Sequence, residues 1–299
     1  MNLRLGLLLT LPPLLWAGNA VLGRMVVGSI SPLSLNALRW ALAGLLLLPL
    51  SWRLLRNTTA LRQRWAYLAL TGFLGMGCYN ALQYQALRSS TALNVTLIAA
   101  SLPVWMLAVG ALLFGVRPQR RQLLGALLSL AGVALVMARG QPAALAQVQF
   151  VSGDLLMLLA IVSWALYSWL LARPPASMRG ADSPGWNWAE ALMAQLLFGL
   201  VFAGGMAGAE QVLGAAPIAW GPGLAFTLLY VAVGPSLIAY RCWGLGVAQA
   251  GPAVAAFFGN LTPLFAGLMS AALLGEWPQW YHGAALGLIA AGIWVSARR

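Results

Sequence analysis

Long apolar runs separated by short polar gaps dominate this chain. A helix needs about 20 mostly apolar residues to cross a hydrocarbon core roughly 30 Å thick. The pattern predicts ten such helices, over residues 6–27, 33–52, 66–87, 92–115, 121–138, 153–172, 188–206, 219–243, 251–274 and 280–297. The alternating ten-residue segments of a membrane β-barrel do not occur. We therefore predict an all-α polytopic membrane protein, in which each helix satisfies its own backbone hydrogen bonds.

The composition supports this prediction. Hydrophobic residues make up 61% of the chain and charged residues only 7%, whereas about a quarter of an ordinary globular domain is charged. The net charge of +12 would suggest nucleic acid as the partner of a soluble protein. Here arginines in the short gaps carry that charge, so we expect membrane lipid and a small-molecule substrate as partners, and no nucleic acid.

The positions of the arginines predict the orientation, because cytoplasmic loops carry an excess of basic residues. If the N-terminus is cytoplasmic, Arg24, Arg88 and Arg139 fall on the far side of the membrane. The cytoplasmic side then receives the larger group: Arg4, Arg53, Arg56, Arg62, Arg64, Arg117, Arg120, Arg121, Arg173, Arg179, Arg298 and Arg299. Both termini are therefore predicted to be cytoplasmic.

An internal repeat is visible, since residues 90–136 align with 250–296 without a gap. Matched prolines and glycines carry the most weight because they mark kinks and close helix contacts. The pairs of this kind are Pro103 with Pro263, Gly115 with Gly275, Pro118 with Pro278 and Gly132 with Gly292. Trp16-Ala17 also matches Trp164-Ala165 at a shorter offset. We predict two five-helix repeats, residues 1–140 and 141–299.

The odd number of helices per repeat has a consequence for insertion. Five helices end on the opposite side from where they began, so the second repeat enters the membrane inverted. Inverted repeats are typical of secondary transporters, whose binding site lies near the midplane between the halves. The repeat also argues that the first apolar segment is a helix of the bundle. A cleaved signal peptide, which Arg4 and the following apolar stretch resemble, would have no counterpart.

Several motifs resemble a known family. They are Leu15-Trp16-Ala17-Gly18-Asn19, Ile30-Ser31-Pro32-Leu33, Ala37-Leu38-Arg39-Trp40, and the repeated pair Pro103…Leu113-Phe114-Gly115 and Pro263…Leu273-Leu274-Gly275-Glu276. Together they resemble the drug/metabolite transporter superfamily, EamA family, and the aromatic-rich segments are similar to its aromatic amino-acid exporter branch. The resemblance implies a monomer in the bacterial inner (plasma) membrane. It also implies a central cavity surrounded by the first, third and fourth helices of each repeat.

The sequence departs from that family in two places. Val116 stands where the family usually has a glutamate, although the second repeat keeps Glu276. The first helix also lacks the membrane-embedded glutamate of small multidrug cation exporters.

Polar and aromatic side chains follow stripes on the helices predicted to surround the cavity, because residues three and four apart share a face. Aromatic walls would bury an apolar side chain, while amides and hydroxyls would orient its polar end. For any one of these residues, packing between helices is the alternative role. The candidate substrate-binding residues are Trp16, Asn19, Tyr79, Gln83, Asn94, Ser101, Trp105, Trp164, Tyr167, Ser168, Ser236, Tyr240, Phe257 and Asn260.

Two further kinds of residue bear on the mechanism. Arg39 lies away from the helix ends, where a charge is costly. We favour a structural role for it over binding a substrate carboxylate. Pro103, Pro235 and Pro263 interrupt helices and are candidate hinges, with static kinks as the alternative. Arg241 lies near a segment end, from which its side chain can extend to the interface.

The chemistry that is missing narrows the function. No carboxylate lies mid-segment to relay protons, which favours a uniporter or exchanger over a proton-coupled antiporter. The sequence contains no P-loop, no H-E-x-x-H and no metal-ligand cluster, and its single histidine, His282, lies at a segment boundary. We therefore expect no cofactor, no metal and no intramembrane enzyme activity.

The sequence thus predicts a secondary transporter that exports small organic metabolites. Amino acids, including aromatic ones, are the predicted cargo. The transporter would work by alternating access through a central cavity. Other cargo is the alternative: a nucleotide sugar, a lipid-linked compound or a drug-like compound. A nucleotide sugar would require several basic residues in the cavity, and Arg39 is the single candidate there.

Overall fold

A computed structural model describes residues 3–26, 28–56, 58–86, 88–90, 92–141, 143–146, 149–274 and 279–297. Within these ranges the chain is helical and contains no strand. The membrane-protein fold class predicted from the apolar runs is confirmed to this extent, with seven helices that are long and apolar enough to cross a bilayer.

The long helical stretches of the described residues are labelled α1 to α10 in chain order. Their bounds are α1 (Leu3–Met25), α2 (Pro32–Arg56), α3 (65–86), α4 (92–114), α5 (Arg120–Met137), α6 (Ser152–Ala172), α7 (Trp188–Val212), α8 (Pro222–Ala250), α9 (252–274) and α10 (Trp280–Ala297). Short helical turns occupy some of the connections, at Thr59–Gln63, Ala143–Ala146, Ala176–Met178 and Gly180–Asp182.

Two helices run farther than the apolar pattern predicts. The runs 188–206 and 219–243 correspond to helices that end at Val212 and Ala250. Each is followed closely by a glycine with positive φ, Gly214 at 91° and Gly251 at 83°. Glycine adopts a positive φ at little cost, so it can end a helix irrespective of hydropathy. An apolar run marks the part of a helix that lies in the hydrocarbon core, and the helix can continue beyond that run.

The regular winding is interrupted at matching places in the two repeats. α3 contains a π-helical segment at Phe73–Cys78 and α8 contains one at Ala232–Ile238. α4 and α9 are each divided near their middle, at position 101 and at positions 260–261. Both pairs of interruptions are related by the same residue offset that aligns 90–136 with 250–296, which we call the repeat shift. The repeat therefore extends towards the N-terminus, into α3 and α8.

Three prolines lie at or next to these interruptions. Pro103 and Pro263 are each the second residue of the helical piece that follows a break, where an absent N–H costs no intrahelical bond. Pro235 lies inside the π-helical segment of α8.

Helices α5 and α10 pack against each other with reciprocal contacts. A Cβ atom on Gly292 would lie 2.7 Å from the carbonyl oxygen of Gly125, and one on Gly132 would lie 3.0 Å from that of Ala285. The repeat shift converts 125 into 285 and 132 into 292, so the two contacts are copies of each other with the partners exchanged. Such an exchange between antiparallel helices is what a two-fold axis across them produces.

The same exchange governs the other helices. α2 packs along α7, its repeat partner. α1 packs against α8 and α9, and α6 packs against α3 and α4. The first helix of each repeat therefore lies within the other repeat, and the interior is built from both.

Carboxylates stabilise the starts of three helices. A Glu210 oxygen accepts from the backbone N–H of Leu33 at 3.1 Å, at the start of α2. Glu190 forms a capping box with Asn187 at the start of α7, and Asp154 lies in the first turn of α6. Negative charge at a helix N-terminus is favourable, so these acids stabilise the starts of the helices.

Candidate functional site

Seven aromatic rings meet in the interior and form what we call the aromatic cluster. They come from α1, α2, α3, α6 and α8, and therefore from both repeats. The members are Trp16, Trp40, Tyr79, Trp164, Tyr167, Tyr240 and Trp243.

Trp164 of α6 lies at the centre of the aromatic cluster. Its ring centroid is 5.3 Å from that of Trp16, with the planes nearly perpendicular, and 5.2 Å from that of Tyr79. Tyr240 and Trp243 of α8 lie at 5.4 and 5.6 Å. Centroid separations of 4.5–7 Å in tilted or edge-to-face arrangements are favourable for aromatic pairs. Trp164 is 3% exposed, so this packing encloses it.

Arg39 of α2 places a buried positive charge beside the aromatic cluster. Its Nε donates to the Ser236 hydroxyl at 2.7 Å, and its Nη1 donates to the Asn80 side-chain oxygen at 3.3 Å. The guanidinium carbon also lies 5.1 Å from the ring centroid of Trp40. Both partners are neutral and belong to α8 and α3, the third helices of the two repeats. Arg39 therefore links α2 to both of these helices.

The π-helical segment of α3 supplies three consecutive carbonyl oxygens to side chains of other helices. Leu74 accepts from the Ser163 hydroxyl at 2.8 Å, Gly75 accepts from the Tyr240 hydroxyl, and Met76 accepts from the Asn36 amide at 3.1 Å. Wider π-helical winding takes carbonyls out of the regular ladder, and an unpaired carbonyl in a water-free interior is costly. The donors come from α6, α8 and α2.

Gly75 also makes room for the aromatic cluster. A Cβ atom there would lie 2.8 Å from the Tyr167 ring, closer than real carbon contacts allow. The absence of a side chain lets the ring approach the backbone of α3.

The π-helical segment of α8 is anchored differently. Pro235 has no N–H to offer to the ladder, and the Ser236 hydroxyl donates to the Val231 carbonyl at 2.7 Å. The Trp16 indole donates to the Pro235 carbonyl at 3.3 Å. The segment is therefore held partly within its own helix and partly by Trp16 of α1 and Arg39 of α2 in the other repeat.

A crevice of about 240 Å³ lies beside the aromatic cluster, between α6, α7 and α8. Tyr167 and Tyr240 line it together with Gln195 and Arg241. The Arg241 guanidinium carbon lies 5.4 Å from the ring centroid of Trp188 at the start of α7. The two tyrosines thus connect the crevice with the aromatic cluster.

The structure brings some of the sequence-predicted residues together. Trp16, Tyr79, Trp164, Tyr167 and Tyr240 belong to the aromatic cluster. Two hydroxyls lie beside it, that of Ser236 on Arg39 and that of Ser168, which accepts from the Trp243 indole at 3.0 Å.

Other predicted residues lie elsewhere. Phe257 is fully buried at the α5–α10 contact, near Gly125. Ser101 and Asn260 occupy the breaks of α4 and α9. Asn19, Gln83 and Trp105 are half-buried, and the side chain of Asn94 lies outside the described part of the structure.

Sequence reasoning missed Trp40, Trp243 and Asn80. For Trp243 a signal existed, because it follows Tyr240 by three residues and Ser236 by seven, on the same stripe. The repeat shift also converts Gln83, a predicted residue, into Trp243.

The described residues contain no group of three His, Cys, Asp or Glu side chains that could hold a metal ion. The polar groups beside the aromatic cluster are amides, hydroxyls, indoles and the Arg39 guanidinium, together with backbone carbonyls. Such groups can bind and orient an organic molecule.

Comparisons with known proteins point to one family. The EamA-like transporter family matches residues 4–138 and 151–298. The chain is 25% identical, over 301 residues, to a protein of Archaeoglobus fulgidus that is named an uncharacterised transporter, covering 100% of this chain and 99% of that one. It is 22% identical, over 254 residues, to an uncharacterised transporter of Bacillus subtilis, covering 84% of this chain and 80% of that one.

A solved crystal structure has the same fold. It is 21% identical in sequence, covers 99% of both chains and superposes with a TM-score of 0.78.

Proposed function

Because this chain belongs to the EamA-like transporter family, we propose that it exports small organic metabolites, above all amino acids and aromatic ones among them. Membership of this family and the transporter names of its relatives point to a multi-pass membrane protein and a transporter. We further propose that transport occurs by alternating access between two repeats, with ten membrane-crossing helices in all.

The observation that carries the proposal is the aromatic cluster around Trp164. Its rings come from α1, α2, α3, α6 and α8 of both repeats, so a change in the relative position of the repeats would separate them. Indole and phenol faces bind apolar and aromatic groups, and they attract an ammonium group by about 1–2 kcal/mol when it is desolvated. An aromatic amino acid presents both kinds of group.

The exchanged contacts of α5 and α10 support alternating access. A two-fold axis across the helices corresponds to opposite insertion of the two repeats, residues 1–140 and 141–299. Two inverted copies can exchange conformations, which opens the site to each side in turn. The breaks at Pro103 and Pro263 and the segment around Pro235 are the proposed hinges.

The charge beside the aromatic cluster favours a zwitterionic or weakly charged cargo. Arg39 is 2% exposed and has two neutral hydrogen-bond partners on two other helices. We propose that it holds α2, α3 and α8 together and shapes the electrostatics of the site. A nucleotide sugar would require more basic groups to offset its phosphates.

Counterflow of tritiated phenylalanine in proteoliposomes tests the cargo and the aromatic cluster together. Wild-type protein is expected to exchange phenylalanine across the bilayer, and Trp164→Ala is expected to lose at least nine-tenths of the rate. Trp220→Ala is the matched control, since Trp220 is 66% exposed and outside the aromatic cluster. Trp164→Phe separates folding from transport because it keeps a ring in the core.

Two results would contradict the proposal. If wild-type protein exchanges no amino acid, amino acids are not the cargo. If a well-folded Trp164→Ala protein transports at the wild-type rate, the aromatic cluster is not part of the transport pathway.

Energy coupling needs a separate measurement. The acids of the described residues lie at helix ends or in loops, at Asp154, Asp182, Glu190 and Glu210, whereas proton relays usually place a carboxylate within the membrane. We therefore propose uniport or exchange, with both termini cytoplasmic. Accumulation of phenylalanine that requires an imposed pH gradient would contradict this.

A further inference from the structure

The crevice between α6, α7 and α8 has an apolar wall, to which Leu171, Leu192 and Leu245 contribute. It is also lined by the aromatic side chains of Tyr167, Trp188 and Tyr240, the amide of Gln195 and the guanidinium of Arg241. Ligand sites for drug-sized molecules begin at roughly 300 Å³, so a crevice of about 240 Å³ suits one smaller molecule.

Gln195 offers a hydrogen-bond acceptor that no protein group uses. Its side chain is 8% exposed, and its Nε2 donates to the Ala191 carbonyl at 3.3 Å. Its Oε1 is buried and has no hydrogen-bond partner. Turning the amide over would bring two acceptor oxygens together, so the observed orientation is the favourable one. A buried acceptor without a donor is costly, and a ligand with an N–H group would remove that cost.

Arg241 offers the complementary charge. It is half-buried on α8, and its guanidinium lies over the Trp188 ring of α7. No carboxylate in the described part of the chain forms an ion pair with it. A partly desolvated guanidinium favours a carboxylate, which it can bind through two parallel hydrogen bonds.

We propose that the crevice binds the charged end of a free amino acid, with the carboxylate on Arg241 and the ammonium group on Gln195 Oε1. The side chain then lies towards the apolar wall and towards Tyr167 and Tyr240, which the crevice shares with the aromatic cluster. The inference rests on the proposed function, since it names a site where cargo waits beside the pathway. One ligand that carries both an anion and an N–H donor would satisfy the unpaired acceptor and the unpaired cation of this crevice together.

Binding to purified protein in detergent tests both requirements. The probes are L-phenylalanine, 3-phenylpropionate, which lacks the ammonium group, and N,N,N-trimethylphenylalanine, which has the charge without an N–H. Calorimetric titration is expected to show phenylalanine binding at least tenfold more tightly than either analogue. Equal binding of all three probes would overturn the assignment.

Substitutions locate the site. Arg241→Gln and Gln195→Met are each expected to weaken phenylalanine binding at least tenfold. Arg56→Gln is the matched control and is expected to bind as wild type, because Arg56 also lies over a tryptophan, 4.3 Å from the Trp52 ring centroid, but outside the crevice. Arg241 is half-buried, so Arg241→Gln remains informative if Gln195→Met does not fold. Wild-type affinity in Arg241→Gln would overturn the proposal.

The headgroup of phosphatidylethanolamine also carries an anion, its phosphate, and an ammonium group with N–H donors. A separate experiment with lipids distinguishes binding of this headgroup from binding of a free amino acid. Wild-type and Arg241→Gln proteins are placed in nanodiscs of phosphatidylcholine, with and without phosphatidylethanolamine. Phosphatidylcholine has no ammonium N–H and is the matched lipid. No difference between the lipids supports a free amino acid. A rise in Tm with phosphatidylethanolamine in wild type alone, without any effect of phenylalanine, would overturn that choice.

The outcomes also separate this inference from the proposed function. Loss of binding in Arg241→Gln with normal counterflow in Trp164→Ala would retain the crevice and reject the aromatic cluster. Normal binding in Arg241→Gln with lost counterflow in Trp164→Ala would do the reverse.

Discussion

The π-helical segments of α3 and α8 occupy equivalent positions but are anchored in different ways. In α3, three successive carbonyls accept hydrogen bonds from the side chains of three other helices. In α8, one released carbonyl is satisfied by Ser236 of the same helix and another by the Trp16 indole at 3.3 Å. The equivalent central residues are Gly75 and Pro235. Gly75 has no side chain and lets a neighbouring ring approach the helix backbone, whereas Pro235 has no backbone N–H to donate within the helix.

The difference teaches that duplicated backbones do not need duplicated anchors. Gly75 leaves the α3 segment stable only while its neighbours supply donors and fill the space beside it. Pro235 removes a backbone donor by its own covalent structure, so the α8 segment persists with fewer outside contacts. We therefore expect α3 to be the more rigid of the two helices and α8 the one that bends during transport.

The largest expected effect comes from filling the space beside Gly75. Gly75→Val places branched carbons against the Tyr167 ring, which a Cβ atom would already approach to 2.8 Å. Overpacking of this kind is expected to lower the free energy of unfolding by about 3 kcal/mol, measured from urea unfolding in detergent. Gly204→Val on α7 is the control, because a Cβ there would meet no atom within 4 Å. Equal losses in the two variants would show that the α3 segment is not tightly packed.

A smaller effect is expected from removing one anchor of the α3 segment. Tyr240→Phe keeps the ring in the aromatic cluster and leaves the Gly75 carbonyl without its donor. The expected loss of stability is about 1–2 kcal/mol, seen in the same unfolding measurement.

Trp16→Phe is the comparison for Tyr240→Phe in the α8 segment. It removes a longer bond to the Pro235 carbonyl, so we expect less than about 1 kcal/mol from the hydrogen bond. A larger loss in Trp16→Phe than in Tyr240→Phe would reverse the proposed order of rigidity.

The smallest effect on stability is expected from Pro235→Ala, within about 1 kcal/mol, because the restored N–H can rejoin the helix. Its effect on transport is expected to be larger, about a fivefold slower counterflow, if α8 bends at this residue. Pro49→Ala is the control, since Pro49 lies inside α2 and outside both segments. Wild-type counterflow in Pro235→Ala would assign the residue a static kink.

The predictability of the aromatic cluster shows where sequence reasoning stops. Residues on the stripes through Trp164 and Tyr240 meet in space, and their role in substrate binding stays a prediction. The stripe through Trp105 was equally regular, yet that ring is half-buried against the core and Trp243 lies in the aromatic cluster instead. In water, polarity separates the buried face of a helix from the exposed one. In lipid both faces are apolar, so periodicity does not reveal which face turns inward.

What the sequence determined by itself is local or repeated. Apolar length predicts the helices, and the match of 90–136 to 250–296 predicts the repeat. Only the tertiary structure decided which donors reach the carbonyls of 73–78 and which neutral partners hold Arg39. Those contacts join residues from separate helices of two repeats, and their geometry depends on how whole helices pack. No window of the sequence contains both ends of such a contact, whereas a helix is specified by residues within a few turns of one another.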